Sequence, residues 1–71
     1  MNYEVHWVGN NKNNTHGIFP TLKEAQKSVR NWWEKHNFEP PYIRQWKQGN
    51  KVIWDYGSHI YFYEFWEVAG T

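Results

Sequence analysis

The histidines His6, His16, His36 and His59, the serines Ser28 and Ser58 and the lone aspartate Asp55 are where acid–base, nucleophilic or metal chemistry would first be sought. Their spacing supplies none of it. A serine nucleophile needs a base within hydrogen-bond reach, held in turn by a third group. Ser58 and His59 are neighbours in a turn, where adjacent side chains point apart. The four histidines do not fall into a metal-ligand pattern, and with no cysteine there is neither a disulfide framework nor a Cys-based zinc site. The glycines stand singly at turns, so no loop can cradle a phosphate. The expectation is a protein that is not an enzyme and has no cofactor or metal.

What the chain has in excess is aromatic surface: six Trp, five Tyr and four Phe in 71 residues. A chain of this size hides only about 60% of the surface its unfolded form exposes. Large rings, each burying roughly 150–250 Å², offset that. They also outnumber what one small core holds, so a binding surface is expected among them.

The elements that would position these rings can be read in order. Tyr3, Val5 and Trp7 alternate with Glu4 and His6, which is the pattern of a strand with one apolar face. Gly9 to Asn14 reads as an Asn-rich loop and Thr15 to Phe19 as a short return strand. Thr21 and Glu24 form a capping-box sequence at a helix start. Leu22, Ala25, Val29, Trp33 and His36 then share one stripe, with Trp32 on its flank. The spacing predicts a helix over Leu22 to His36, ended at Asn37 and kept from continuing by Pro40 and Pro41. Lys23, Lys27 and Arg30 make a mildly basic stripe on it, partly neutralised by Glu24 and Glu34 and read as solvated. Three strands follow: Tyr42 to Gln48, Lys51 to Tyr56, and His59 to Val68. Tight turns at Gly49-Asn50 and Gly57-Ser58 join them.

Two-residue turns place Gln48 opposite Lys51 and Tyr56 opposite His59, and so sort the side chains onto two faces. Tyr42, Arg44, Trp46, Ile53, Asp55, Ile60, Phe62, Glu64 and Trp66 share one. Its purely apolar Ile53, Ile60 and Phe62 assign it to the core. Ile43, Gln45, Lys47, Val52, Trp54, Tyr56, His59, Tyr61, Tyr63 and Phe65 share the other, which is rich in hydroxyls and is assigned outward. The fold expected is α+β in one small domain spanning residues 1–71. One amphipathic helix packs on a mainly antiparallel sheet of four to five strands, in the order β-α-β-β-β or β-β-α-β-β-β. The place of the first strand in the sheet is left open.

The function expected follows from the outward face. Trp54, Tyr61 and Tyr63 would form an aromatic platform, with Gln45 and Lys47 supplying a hydrogen bond and a charge, and Trp32 a secondary contact. Tyr and Trp are typical interface anchors, so the first reading is a protein-binding or homodimerising module. The alternative is a single-stranded nucleic-acid binder stacking bases on the same rings, as RRM sheets do. No RNP motif is present, and the net charge of +1 counts against it. Met1 to Gly9 is neither a signal peptide nor a membrane span, and a cytoplasmic protein without membrane association is expected. The many Asn and Lys codons fit an AT-rich genome such as that of a phage or mobile element.

Overall fold

The computed structural model describes residues 2–69. Its elements are β1 (Asn2–Gly9), β2 (Lys12–Phe19), α1 (Leu22–Lys35), β3 (Arg44–Gln48), β4 (Lys51–Asp55) and β5 (Tyr61–Val68). The five strands form one antiparallel sheet in the order β2-β1-β5-β4-β3. This is the longer of the two predicted orders. The first strand lies in the interior of the sheet, beside the last. The chain must therefore pass from edge strand β2 to the opposite edge strand β3, about 19 Å at four strand spacings. Helix α1, with 14 residues, spans about 21 Å and makes that crossing over one face.

Local chemistry explains most boundaries. The first hairpin is tighter than the sequence suggested, because Asn10 (φ +48°) and Asn11 (φ +62°) both take the left-handed turn conformation. The Thr21 hydroxyl accepts from the Glu24 amide at 3.1 Å, forming the expected N-cap. The helix stops one residue early, in a complete Schellman turn. Asn37 adopts φ +54°, its amide donates to the Glu34 carbonyl at 3.1 Å, and the Phe38 amide donates to the Trp33 carbonyl at 2.8 Å. Asn thus serves the role predicted for it.

The second meander connection departs from the prediction. It is not a two-residue turn at Gly57-Ser58 but a loop from Tyr56 to Ile60. Side chains build it. Asp55 Oδ1 accepts from the Gly57 amide at 3.2 Å, and Ser58 Oγ accepts from the Tyr61 amide at 3.1 Å. Gly57 has φ +96° and lies so close to Pro41 that an added Cβ would sit 2.5 Å from its ring. The register consequently moves by two: Trp54 faces Tyr63 rather than Tyr61, and Lys51 faces Trp66. An even shift keeps every side chain on its face. At the other turn Gln48 does face Lys51, and β3 starts at Arg44, leaving Tyr42 and Ile43 outside it.

The two faces are the reverse of those predicted. The core consists of Val5, Ala25, Val29, Trp33, Val52, Trp54, Tyr56, Tyr63 and Phe65, so the hydroxyl-rich face lies under the helix. Phe62, expected in the core, is half-buried on the far side, where Trp46 is exposed, and Ile60 is exposed in the loop before β5. The reason is electrostatic. The face with Ile53 and Phe62 also carries Arg44, Lys51, Asp55 and Glu64, and hiding ions costs several kcal/mol each. A tyrosine or tryptophan needs only one hydrogen bond to be buried without loss. Those bonds exist: Trp54 Nε1 donates to Gln45 Oε1 at 2.7 Å and Trp7 Nε1 to the Tyr56 hydroxyl at 2.9 Å.

Candidate functional site

The predicted platform is brought together, but beneath the helix. Trp54 and Tyr63 are 2% and 5% exposed, which withdraws them from any flat stacking surface. Trp33 of α1 stacks near-parallel on Trp54 at 5.8 Å and meets Tyr63 edge-on at the same distance. Tyr61 is half-buried and stacks on Trp7 at 4.2 Å. Gln45 is exposed at the sheet margin and is used structurally, accepting from Trp54 and from Gln26 Nε2 at 3.0 Å. Lys47 lies in solvent, 3.5 Å from Glu67. Of the predicted residues only Trp32, 46% exposed, keeps an accessible ring. Lys23, Lys27 and Arg30 are all exposed, and the Arg30 guanidinium caps Trp54 at 5.2 Å.

Two surfaces remain accessible to a partner. The first is an aromatic cleft of about 600 Å³ on the helix side of the sheet. Its floor is Trp33, Tyr56 and Tyr63. One wall is the last turn of α1, where Trp32 lies 4.2 Å from the ring of His36. The Schellman turn sets Phe38 against Trp33 at 5.9 Å and so closes one end. The opposite wall comes from β2. There the pairing with β1 slips between Val5 and His6, leaving His16 as an extra, bulged residue. A bulge re-aims a side chain. The His16 ring turns toward the helix, its Nε2 2.9 Å from Ser28 Oγ and its centroid 5.9 Å from Trp32 and 6.4 Å from Tyr63. Burial holds its pKa below the ordinary histidine value, outweighing the opposite effect of Ser28. Burial also pushes the Tyr63 hydroxyl above the usual tyrosine value, against a contact with Trp33 that lowers it. Nothing in the side-chain pattern of β2 signals this bulge beyond the weak break at Gly17.

The second surface is the face of the sheet that no helix covers. Pairing registers lay it out in rows. Ile18, Glu4, Trp66, Lys51 and Gln48 form one, and Thr15, His6, Glu64, Ile53 and Trp46 the next. Ile18 is 57% and Trp46 42% exposed. The charges here are already partnered within the chain. Glu64 reaches Lys51 Nζ at 3.2 Å and Trp66 Nε1 at 3.0 Å, and Glu4 meets His6 Nε2 at 2.6 Å. Lys51 Nζ also sits 4.7 Å over the Trp66 ring. Of these, the sequence placed Trp46, Ile53, Glu64 and Trp66 together, but on the buried side.

Among the described residues no three His, Cys, Asp or Glu side chains gather as a metal site, and no helix is long and apolar enough to cross a membrane. No protein-family model matches the chain, and neither a curated protein nor a solved structure matches it.

Proposed function

We propose that the protein is a non-enzymatic module that homodimerises through the uncovered face of its sheet. The observation that supports this is a sheet of five strands with a helix on one side only, whose open side carries the exposed Ile18 and Trp46 and the half-buried Phe62 and Trp66. Exposed aromatic and aliphatic groups on one contiguous surface are characteristic of interaction sites. Five strands about 4.8 Å apart and up to eight residues long offer roughly 600 Å² in projection. A stable interface takes about 800 Å² of accessible surface per partner, so this face is of suitable size.

The arrangement of the rows favours a second copy as occupant, because it is self-complementary about the central strand. A two-fold axis along the strands lays β3 and β4 of one copy over β2 and β1 of the other. Lys51 then comes across from Glu4 of the other copy, and Trp66 and Phe62 meet their own counterparts on the axis. Glu64 would meet its counterpart too, but each is neutralised within its own chain by Lys51. Packed sheets stay within about 30° of alignment, which preserves these neighbours.

Sedimentation tests it. The wild type should show a concentration-dependent dimer, and an Ile18→Ser/Trp46→Ser double variant should be a folded monomer. A wild type that stays monomeric at high concentration would sink the proposal. Oligonucleotide binding that weakens steeply with salt would point instead to single-stranded nucleic acid.

A further inference from the structure

We infer that the cleft on the helix side is a binding site for a small, neutral, bicyclic heteroaromatic molecule. This site is separate from the sheet face and does not depend on it. Three properties of the cleft select that chemistry. Its size, about 600 Å³, lies within the roughly 300–1,000 Å³ of small-molecule sites. Its surfaces are the rings of Trp32, Trp33, Phe38, Tyr56 and Tyr63, which favour a flat, polarizable guest stacked or edge-on at about 4.5–7 Å. Its lining contains no carboxylate, lysine or arginine. A cationic guest would lack a counter-charge, and a phosphate would lack both a cation and an anion-binding turn.

Hydrogen bonding narrows the class further. The Tyr56 hydroxyl accepts from Trp7 Nε1 at 2.9 Å, and a hydroxyl that accepts still has its own proton to donate. Asn14, in register with Trp7 on the β2 wall, adds a short polar side chain that both donates and accepts. A ring nitrogen or carbonyl on the guest would take the Tyr56 proton, and a ring N–H would find an acceptor on the wall. His16, held neutral by burial and engaged by Ser28, adds aromatic surface without charge at neutral pH.

The wall also carries an exposed Trp outside the buried core. Trp32 keeps 46% of its surface in solvent although Trp33, one residue on, anchors the core. His36 and His16 flank its ring at 4.2 and 5.9 Å and fix its orientation. Such a preset ring lets a guest stack with little ordering of the protein.

Indazole is a suitable probe, being neutral and bicyclic with one donor and one acceptor nitrogen. Titrated into the isotopically labelled protein, it should shift the indole N–H resonances of Trp7, Trp32 and Trp33 saturably and leave that of Trp46 in place. Trp32→Ala should weaken binding by roughly five- to a hundredfold, the usual range for losing one stacking partner, with circular dichroism unchanged. His36→Ala, also exposed, should weaken it by a smaller factor. Ile18→Ser/Trp46→Ser should leave indazole affinity as it was, whatever it does to association. Benzyltrimethylammonium should bind more weakly than indazole. No saturable shift up to the solubility limit, affinity unmoved by both Trp32→Ala and His36→Ala, or a preference for the cation would each overturn the assignment.

Discussion

At the scale of single residues, neighbours in sequence have separate fates for readable reasons. Trp32 and Trp33 differ by about 100° around the helix axis, and periodicity alone placed Trp33 inside and Trp32 at the flank, as the structure has them. His16 could not be read this way. Its orientation comes from one surplus residue in β2, a backbone irregularity that depends on how two strands pair and leaves little mark on side-chain pattern. Its consequence is measurable. The groups around the ring, Ser28, Phe19, Trp32 and Tyr63, carry no charge near neutral pH, so desolvation sets its lowered pKa. An unfolded chain protonates His16 near the ordinary value of about 6.5, while the folded protein resists down to a lower pH. The stability contributed by the neutral ring is therefore fully present above about pH 6.5 and is lost as pH falls toward the folded value. Urea midpoints taken at about pH 7.5 and about pH 5 should drop more for wild type than for His16→Gln. Equal drops would mean that the ring titrates as though it were in water.

At the scale of elements, the helix was the most legible part, because both of its ends are written in local chemistry. Thr21 caps it and Asn37 turns it off, and neither depends on distant packing. Strand β2 was less legible: its exposed Lys12, Asn13 and Asn14 lack alternation, and they pair only because Asn10 and Asn11 make a tight turn. The meander loop misled for a related reason. Gly57-Ser58 has the composition of a two-residue turn, yet the side chains of Asp55 and Ser58 hold a longer loop in place. The helix ends can be tested separately from the core. Thr21→Ala should cost about 0.5–2 kcal/mol. Asn37→Ala should cost roughly 1–2 kcal/mol through its left-handed conformation, whereas Asn37→Gly should be neutral or better. Each kcal/mol moves Tm by roughly 4–8 °C in a domain of this length. If Asn37→Gly falls as far as Asn37→Ala, the side chain rather than the backbone angle holds the turn, and the Schellman assignment fails.

At the scale of the whole molecule, the architecture was legible and the choice of face was not. The helix, the three-strand meander and the antiparallel pairing follow from pattern, whereas the fifth strand and the interior place of β1 needed the structure to decide them. Which face a single helix covers depends on totals over the entire sheet, and purely apolar residues are a poor guide when charges share their face. Val5 contributes as well: β1 sits between β2 and β5, and its fully buried side chain lies in register with Phe65 and so completes the aromatic layer under the helix. Comparing two tryptophans across the sheet tests this directly. Trp54 is 2% exposed, meets Phe65 at 5.0 Å, and donates its indole N–H to Gln45. Trp54→Ala should cost about 3–5 kcal/mol, a large share of the roughly 5–15 kcal/mol that holds a domain together. Trp54→Phe should give a graded, smaller loss if the alanine variant does not fold. Trp46, 42% exposed on the far face, should cost only about 0.2–1 kcal/mol on replacement by alanine, as expected for one cross-strand pair. The comparison must be made at a dilution where every variant is monomeric, because losing a dimer contact also lowers apparent stability. A Trp46→Ala loss equal to or above that of Trp54→Ala under those conditions would return the core to the opposite face. The sheet surface proposed for dimerisation would then be occupied by the protein's own helix, and the cleft beside Trp32 would lose its floor.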